Sequence, residues 1–196
     1  MAVRRIQNRN LPPIILASVS PRRSELLSEL GIPFEVVPSD AIEAHHEALT
    51  AREICQLNAY RKARAVAIRH PNHLVIGADT LVYHGTRLYG KPADSADARR
   101  MLAELQSTTH EVVTGVCLMH VHEQREKIFF DTTRVTFKPL SEEEIDRYLA
   151  TVTTLDKAGG YAIQEKGDDL VLKIDGSYSN VVGLPVELLS IELQNW

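Results

Sequence analysis

Ile14-Ile15-Leu16-Ala17-Ser18-Val19-Ser20-Pro21-Arg22-Arg23 is the stretch on which the reading of this chain turns. Its apolar, β-branched start reads as a short buried strand. The chain then turns through Ser18-Val19-Ser20 and enters a helix. Ser20 suits the N-cap, where a hydroxyl accepts from an otherwise unpaired N–H, and Pro21 suits the first helical position, which needs no N–H. Arg22 and Arg23 run against this logic, because cations in the first turn oppose the helix dipole at about 0.3–1 kcal/mol each. A bound anion would offset that cost, since free N–H groups, serine hydroxyls and two guanidinium forks together form a phosphate cradle. The alternative is an exposed helix start with both arginines in water.

Working outward, Glu25–Leu30 continues the helix and Gly31 is its natural stop. Phe34–Val37 is a short strand, and Pro38–Leu49 a polar loop holding Asp40, Glu43, His45, His46 and Glu47. Thr50-Ala51-Arg52-Glu53 is a capping box opening a helix toward Arg69, with Ile54, Leu57, Ala65 and Ile68 on its apolar side. Leu74–Ala78 is a second buried strand that delivers Asp79-Thr80 at its C-terminal end. Leu81-Val82-Tyr83 stays extended, and His84-Gly85 turns into Arg87-Leu88-Tyr89. Gly90-Lys91-Pro92 is a loop, after which Asp94 or Ser95 caps a helix to about Leu105.

Farther on, Glu111–Val121 and Lys127–Phe137 form a long β-hairpin, and Ser141–Glu144 is another capping box. Tyr161-Ala162-Ile163, Leu170–Ile174 and Asn180-Val181-Val182 read as strands between glycine-rich loops, and Pro185 begins a last helix. Two strand–helix units followed by a hairpin predict an α/β fold with a mixed, twisted central sheet flanked by helices.

The 196 residues fit one domain, or two lobes sharing one sheet. We expect residues 1–10 to form a flexible arm and 11–196 a single domain. A net charge of −4 argues against coating nucleic-acid polymers, so any basic site must be local. No apolar run approaches the roughly 20 residues of a membrane span. Cys55 and Cys117 lack metal-ligand spacing and read as buried thiols in a reducing compartment, hence a cytoplasmic location, with one disulfide as the alternative.

In open α/β sheets, ligands sit beyond the carboxyl ends of strands. Ser18, Ser20, Arg22 and Arg23 offer anion donors at one such end; Asp79 and Thr80 lie at the other. A carboxylate closing an apolar run should hold a metal, face a lysine, act as a base, or cap a neighbouring turn. With Lys62, Lys91 and Glu43 added, the set suits a metal-bound polyphosphate, because Mg²⁺ needs only one or two carboxylates beside phosphate oxygens. His45-His46 lacks helical zinc spacing, and His120 and His122 share one strand face.

Five motifs occur in order: Leu16–Arg23, Gly77-Ala78-Asp79-Thr80, Gly90-Lys91-Pro92, Asp156–Gln164 and Gly176–Pro185. Together they resemble the Maf (septum formation inhibitor) family of nucleoside triphosphate pyrophosphatases, from about residue 14 to 190. The resemblance implies a two-lobed fold of the inosine-triphosphatase kind with a cleft. It also implies hydrolysis of a nucleoside triphosphate to monophosphate and pyrophosphate with Mg²⁺ or Mn²⁺, in a homodimer. By position it implies Asp79 as proton acceptor, with Ser18, Arg22, Glu43, Lys62 and Lys91 as polar site residues and Asp79 and Glu43 as candidate metal ligands. Gly160–Gln164 resembles the dTTP/UTP branch rather than the 7-methyl-GTP branch, which places Arg23, Thr80 and Gln164 at specificity positions. A glutamine amide meets the uracil or thymine imide with one donor and one acceptor, a match cytosine cannot offer. The branch usually has glycine after that glutamine; this chain has Glu165. The alternatives are the same reaction on another base, and a nucleotide-binding regulator of septum formation.

Overall fold

A computed structural model describes residues 11–44 and 48–196, so the expected arm over 1–10 and the His45-His46 pair lie outside the described residues. A seven-stranded sheet organises them, in the order β2-β1-β3-β5-β6-β7 with β4 also on β3. β1 (Ile14–Leu16) pairs in parallel with β2 (Phe34–Val36) and with the start of β3 (Leu74–His84). The other pairings are antiparallel: β3 with β4 (Arg87–Tyr89) and with β5 (Thr109–His120), β5 with β6 (Arg125–Phe137), and β6 with β7 (Val171–Asp175). The mixed sheet expected from the element order is therefore present.

β3 is longer than the pattern implied. Leu74–Ala78 and Leu81–Tyr83 are one strand of 11 residues, so Asp79 and Thr80 lie in its middle rather than at its end. One edge of β3 pairs with β5 from Val75 to Tyr83. The other edge pairs with β1 only at Leu74–Ile76 and with β4 only at Val82–His84. Residues 77–81 thus lack a strand neighbour on that side among the described residues. The sheet is split there, and Asp79 and Thr80 sit in the split.

α2 (Ala51–Ala67) covers one sheet face, its start closed by the expected capping box of Thr50 and Glu53. Its buried side is Ala51, Ile54, Cys55, Asn58, Ala59, Ala63, Val66 and Ala67, a different stripe from the one the apolar spacing suggested. Ile68 is largely exposed. The stripe is set by close approach rather than by bulk. A Cβ at Gly77 would stand 2.3 Å from the Ala59 carbonyl oxygen, and one at Gly115 would stand 2.5 Å from the Cys55 carbonyl carbon. Gly77 opposite Ala59 and Ala63, and Gly115 opposite Cys55, let the helix backbone lie on the sheet.

The opposite face carries two apolar clusters, one per lobe. Under α1 (Pro21–Ser28) and α7 (Val186–Gln194), the side chains Leu26, Leu27, Leu189 and Leu193 pack on Leu16, Ile76, Val116 and Leu118. Under α3 (Ser95–Leu105) and α4 (Glu142–Leu149), the side chains Met101, Leu102, Ile145 and Tyr148 pack on Val82, Val112, Val135 and Phe137. Ile163 touches both clusters.

Three local expectations are corrected. Ser20 occupies the N-cap of α1 without a capping hydrogen bond; the Ser18 hydroxyl accepts from Ser20 N–H instead. Tyr161–Ile163 is not a strand; it follows a 3-10 turn at Ala158–Gly160. α5 (Gly167–Leu170) then leads into β7. Asn180–Val182 lies in α6 (Tyr178–Val182), where the Ser177 hydroxyl caps Asn180 N–H. In both segments the apolar run packs under the sheet rather than beside it, and periodicity alone cannot separate those cases. Cys55 and Cys117 are free, buried thiols, each pushed up to about 12 mainly by burial, so no disulfide joins them.

Candidate active site

The split in β3 opens into a hollow of about 560 Å³. Ser18, Arg22, Arg23, Glu43, Lys62, Asp79, Thr80, Lys91 and Gln164 all line it, so every site residue that the resemblance implies reaches one space. The strand geometry explains how neighbours can do different work. Successive side chains on a strand point to opposite faces, and here the missing edge lets both faces open on the same hollow.

On the α2 face, Lys62 donates from Nζ to Asp79 Oδ1 at 2.7 Å and lies 2.7 Å from Glu43 Oε1. Asn58 donates from Nδ2 to Asp79 Oδ2 at 3.0 Å and to the Ala44 carbonyl at 3.2 Å, while its Oδ1 accepts from Ala44 N–H at 2.6 Å. One amide therefore ties the Asp79 carboxylate to the loop that carries Glu43. Asp79 is 7% exposed and Asn58 1%. Of the possibilities open for Asp79, facing a lysine is seen directly.

On the other face, Arg23 is partly buried. Its Nε donates to the Gly183 carbonyl at 2.8 Å and its Nη2 to the Thr80 hydroxyl at 3.0 Å, with the Ser18 hydroxyl at 3.4 Å from Nη1. Burial pulls this guanidinium below its ordinary value, and Asp79 acts in the opposite sense. Thr80 Oγ1 is 3.0 Å from Thr114 Oγ1, which donates to the Asn180 carbonyl at 3.0 Å. Asn180 Nδ2 in turn donates to Val112 O and Thr133 Oγ1, both at 3.0 Å. A polar seam thus runs between the two apolar clusters and holds Arg23 from behind.

Arg22 crosses the hollow to the second lobe, its Nη1 donating to Asp156 Oδ2 at 2.7 Å. Both cations of the first helical turn therefore have protein partners, one on each lobe, rather than facing water. Lys91 and the exposed Gln164 stand on the lining with Asp156 and Lys157.

Sequence reasoning missed Asn58 and Thr114, and it named Asp156 and Lys157 only within a motif, without a side-chain role. A signal for Asn58 was there: it lies four residues before Lys62, a polar group on the same side of the helix. Thr114 carried no such signal, because a threonine in a β-run is what strands ordinarily contain. No group of three or more His, Cys, Asp or Glu side chains converges among the described residues. His120 is buried, and its Nδ1 accepts from Glu123 N–H.

Comparison with known proteins gives a consistent result. A family model described as "Maf-like protein" matches residues 13–196. A dTTP/UTP pyrophosphatase of Bacillus cereus (strain ATCC 10987 / NRS 248) is 45% identical over 192 residues, covering 98% of this chain and 94% of that protein. One from Bacillus cytotoxicus is 48% identical over 182 residues, covering 93% and 94%. One from Alkaliphilus oremlandii is 46% identical over 183 residues, covering 93% and 95%. Among solved structures, a HAM1 protein from Coxiella burnetii aligns with a TM-score of 0.55 at 16% identity, over 95% of this chain and 100% of that one. At that identity the likeness concerns the fold alone.

Proposed function

The chain belongs to the Maf-like protein family, and from that premise we propose that it hydrolyses dTTP and UTP to the monophosphate and pyrophosphate with the help of a divalent metal. The observation that carries the reading is Lys62. Its ammonium lies 2.7 Å from both Glu43 and Asp79, inside a hollow whose remaining charged lining includes Arg22, Arg23 and Lys91. The relatives named dTTP/UTP pyrophosphatase, at 45–48% identity over nearly the whole chain, support the substrate.

Opening a phosphoanhydride needs three things: charge neutralised on the leaving pyrophosphate, a positioned water, and a base or orienting group for that water. Arg22 and Lys91 supply cations for the leaving group, Arg22 as a fork that can take two phosphate oxygens. Asp79 orients the water and takes its proton. Lys62 and Asn58 each engage one of its oxygens, so its direction is set before substrate arrives.

The donor set fits a hard cation. Two carboxylates already converge on one positive point, and neither sulfur nor imidazole is among the described lining residues. Asp79 and Glu43 would hold Mg²⁺ or Mn²⁺ together with phosphate oxygens. A divalent cation held there would supply positive charge against the phosphates and make water more acidic.

Base selection falls to the other face. Arg23 and Thr80 are braced by Gly183, Thr114 and Asn180, so they present a fixed wall, and Gln164 offers its amide to the imide edge of uracil or thymine. A base lacking the N3–H would leave a polar group unpaired there. The reduced, buried cysteines support a cytoplasmic setting, and a homodimer belongs to the same proposal, to be read from solution mass. The test of the whole is a nucleotide panel with Mg²⁺ or Mn²⁺. dTTP and UTP should yield monophosphate and pyrophosphate, whereas release of a diphosphate and inorganic phosphate refutes the bond assignment. Asp79→Asn should abolish turnover while the protein stays folded; full activity would remove Asp79 from the chemistry.

A further inference from the structure

Along the second-lobe wall of the hollow, four charges alternate in sign. Glu165 Oε1 lies 3.4 Å from Lys157 Nζ, and Lys157 Nζ lies 2.9 Å from Asp156 Oδ1. Asp156 Oδ2 meets Arg22 Nη1 at 2.7 Å, and the Asp156 carbonyl takes Arg22 Nη2 at 3.4 Å. The Lys157 ammonium also donates to the Thr153 carbonyl. Its side chain is 6% exposed, against about half for Asp156 and Glu165. Burial pushes the Asp156 carboxyl up, but hydrogen bonds from Lys157 and then Arg22 outweigh it and hold the group below its usual range. Arg22, Asp156 and Lys157 line the hollow, and Glu165 reaches it only through Lys157.

We infer that Glu165 is a positioning residue that weakens polyphosphate binding by keeping Asp156 on Arg22. The inference rests on the reading of Arg22 as a phosphate ligand. A phosphate that takes Arg22 must displace the Asp156 carboxylate, whose remaining partner is Lys157. Lys157 is shared with Glu165, so it compensates Asp156 only in part. Removing the Glu165 charge turns Lys157 wholly toward Asp156 and leaves Arg22 easier to take. The contact is long and half exposed, so its effect is that of a surface ion pair rather than a buried one.

The test compares wild type, Glu165→Gln, Asp156→Asn and the double variant by calorimetric titration with inorganic pyrophosphate and by steady-state kinetics on dTTP. Glu165→Gln should tighten pyrophosphate binding and lower KM by about two- to fivefold, with kcat unchanged. The gain should shrink between about 20 mM and about 500 mM salt, where the Debye length falls below the span of the charge chain. In the Asp156→Asn background it should vanish, because Lys157 then has no carboxylate to compensate. Unchanged or weaker binding in Glu165→Gln overturns the inference. So does an equal gain in the Asp156→Asn background, which would mark a general field effect. Wild type that hydrolyses no nucleotide would sink the proposed function instead, and the pyrophosphate titration would still decide this point.

Discussion

Gly77→Ala puts the positioning of the site to a direct test. A methyl at residue 77 would stand 2.3 Å from the Ala59 carbonyl oxygen, 2.7 Å from the Ala63 nitrogen and 3.0 Å from the Ala63 Cβ. Ordinary contact begins near 3.4 Å, so α2 must retreat by about 1 Å, and neither clashing backbone atom can rotate away. Overpacking typically costs about 1–3 kcal/mol, and a clash against helix backbone belongs at the upper end. The retreat also reaches the chemistry. Asn58 and Lys62 each sit one residue from the displaced atoms, and their contacts to Asp79 are 3.0 and 2.7 Å. A displacement of about 1 Å breaks both, and misplacement on that scale costs about 100-fold in rate.

The assay is urea unfolding, for midpoint and slope, alongside kcat/KM for dTTP under conditions where the variant is fully folded. Gly90→Ala, whose Cβ would meet nothing within 4 Å, is the stability control and should stay within about 0.5 kcal/mol of wild type. Adding Ala63→Gly to Gly77→Ala should not rescue it, because the shortest clash is with a carbonyl oxygen. A Gly77→Ala protein of wild-type stability refutes the packing argument. A destabilised one with full turnover per folded molecule refutes the link from helix height to Asp79.

Asn58→Leu, close in volume, removes the bridge between Asp79 and Ala44 and leaves both Ala44 backbone groups without that partner; we expect a loss of about 1–3 kcal/mol and at least a ~10-fold fall in kcat, checked by unfolding and initial rates. Thr114→Val keeps the shape of the seam but deletes the hydroxyl between Thr80 and the Asn180 carbonyl; stability should drop by about 1–2 kcal/mol and discrimination between dTTP and purine triphosphates should relax in a KM comparison. His110 is buried against Phe137 with its Nε2 2.9 Å from the Tyr161 hydroxyl, and burial, with a smaller push from His84, lowers its pKa to about 3. The folded state therefore binds fewer protons than the unfolded one between about pH 6.5 and about 3, so stability falls as pH drops through that window, by up to about 4–5 kcal/mol. His110→Phe should flatten that slope in acid unfolding, at a cost of about 1–2 kcal/mol at neutral pH for the stranded Tyr161 hydroxyl; an unchanged slope would exclude the ring as its source.

Elements whose signals are local were legible in the residues. Both capping boxes form, at Thr50–Glu53 and Ser141–Glu144. The long hairpin of β5 and β6 forms, and Pro185 opens the last helix. Legibility failed where a segment's partner is far away in the chain. Asn180–Val182 has strand-like residues, yet its backbone winds into a short helix because its side chains and Asn180 anchor under β5 and β6. α2 shows the same limit: its buried stripe follows Gly77 and Gly115 on other elements, not its own largest apolar residues.

Chemistry is carried by residue type, so the anion donors at Ser18–Arg23, the acid Asp79 and the lysines were readable along the chain, and their order was enough to point to a family. What no linear pattern contained was the break in the edge of β3, since it comes from β1 ending at Leu16 and β4 joining only at Val82. That break lets Asp79 and Thr80, facing opposite ways, share one hollow. The partners that aim Asp79, Thr80 and Arg22 (Asn58, Thr114 and Asp156, in that order) are ordinary residues made consequential by neighbours 21, 34 and 134 positions away. Orientation depends on contacts between distant segments, and those exist only once the chain has packed.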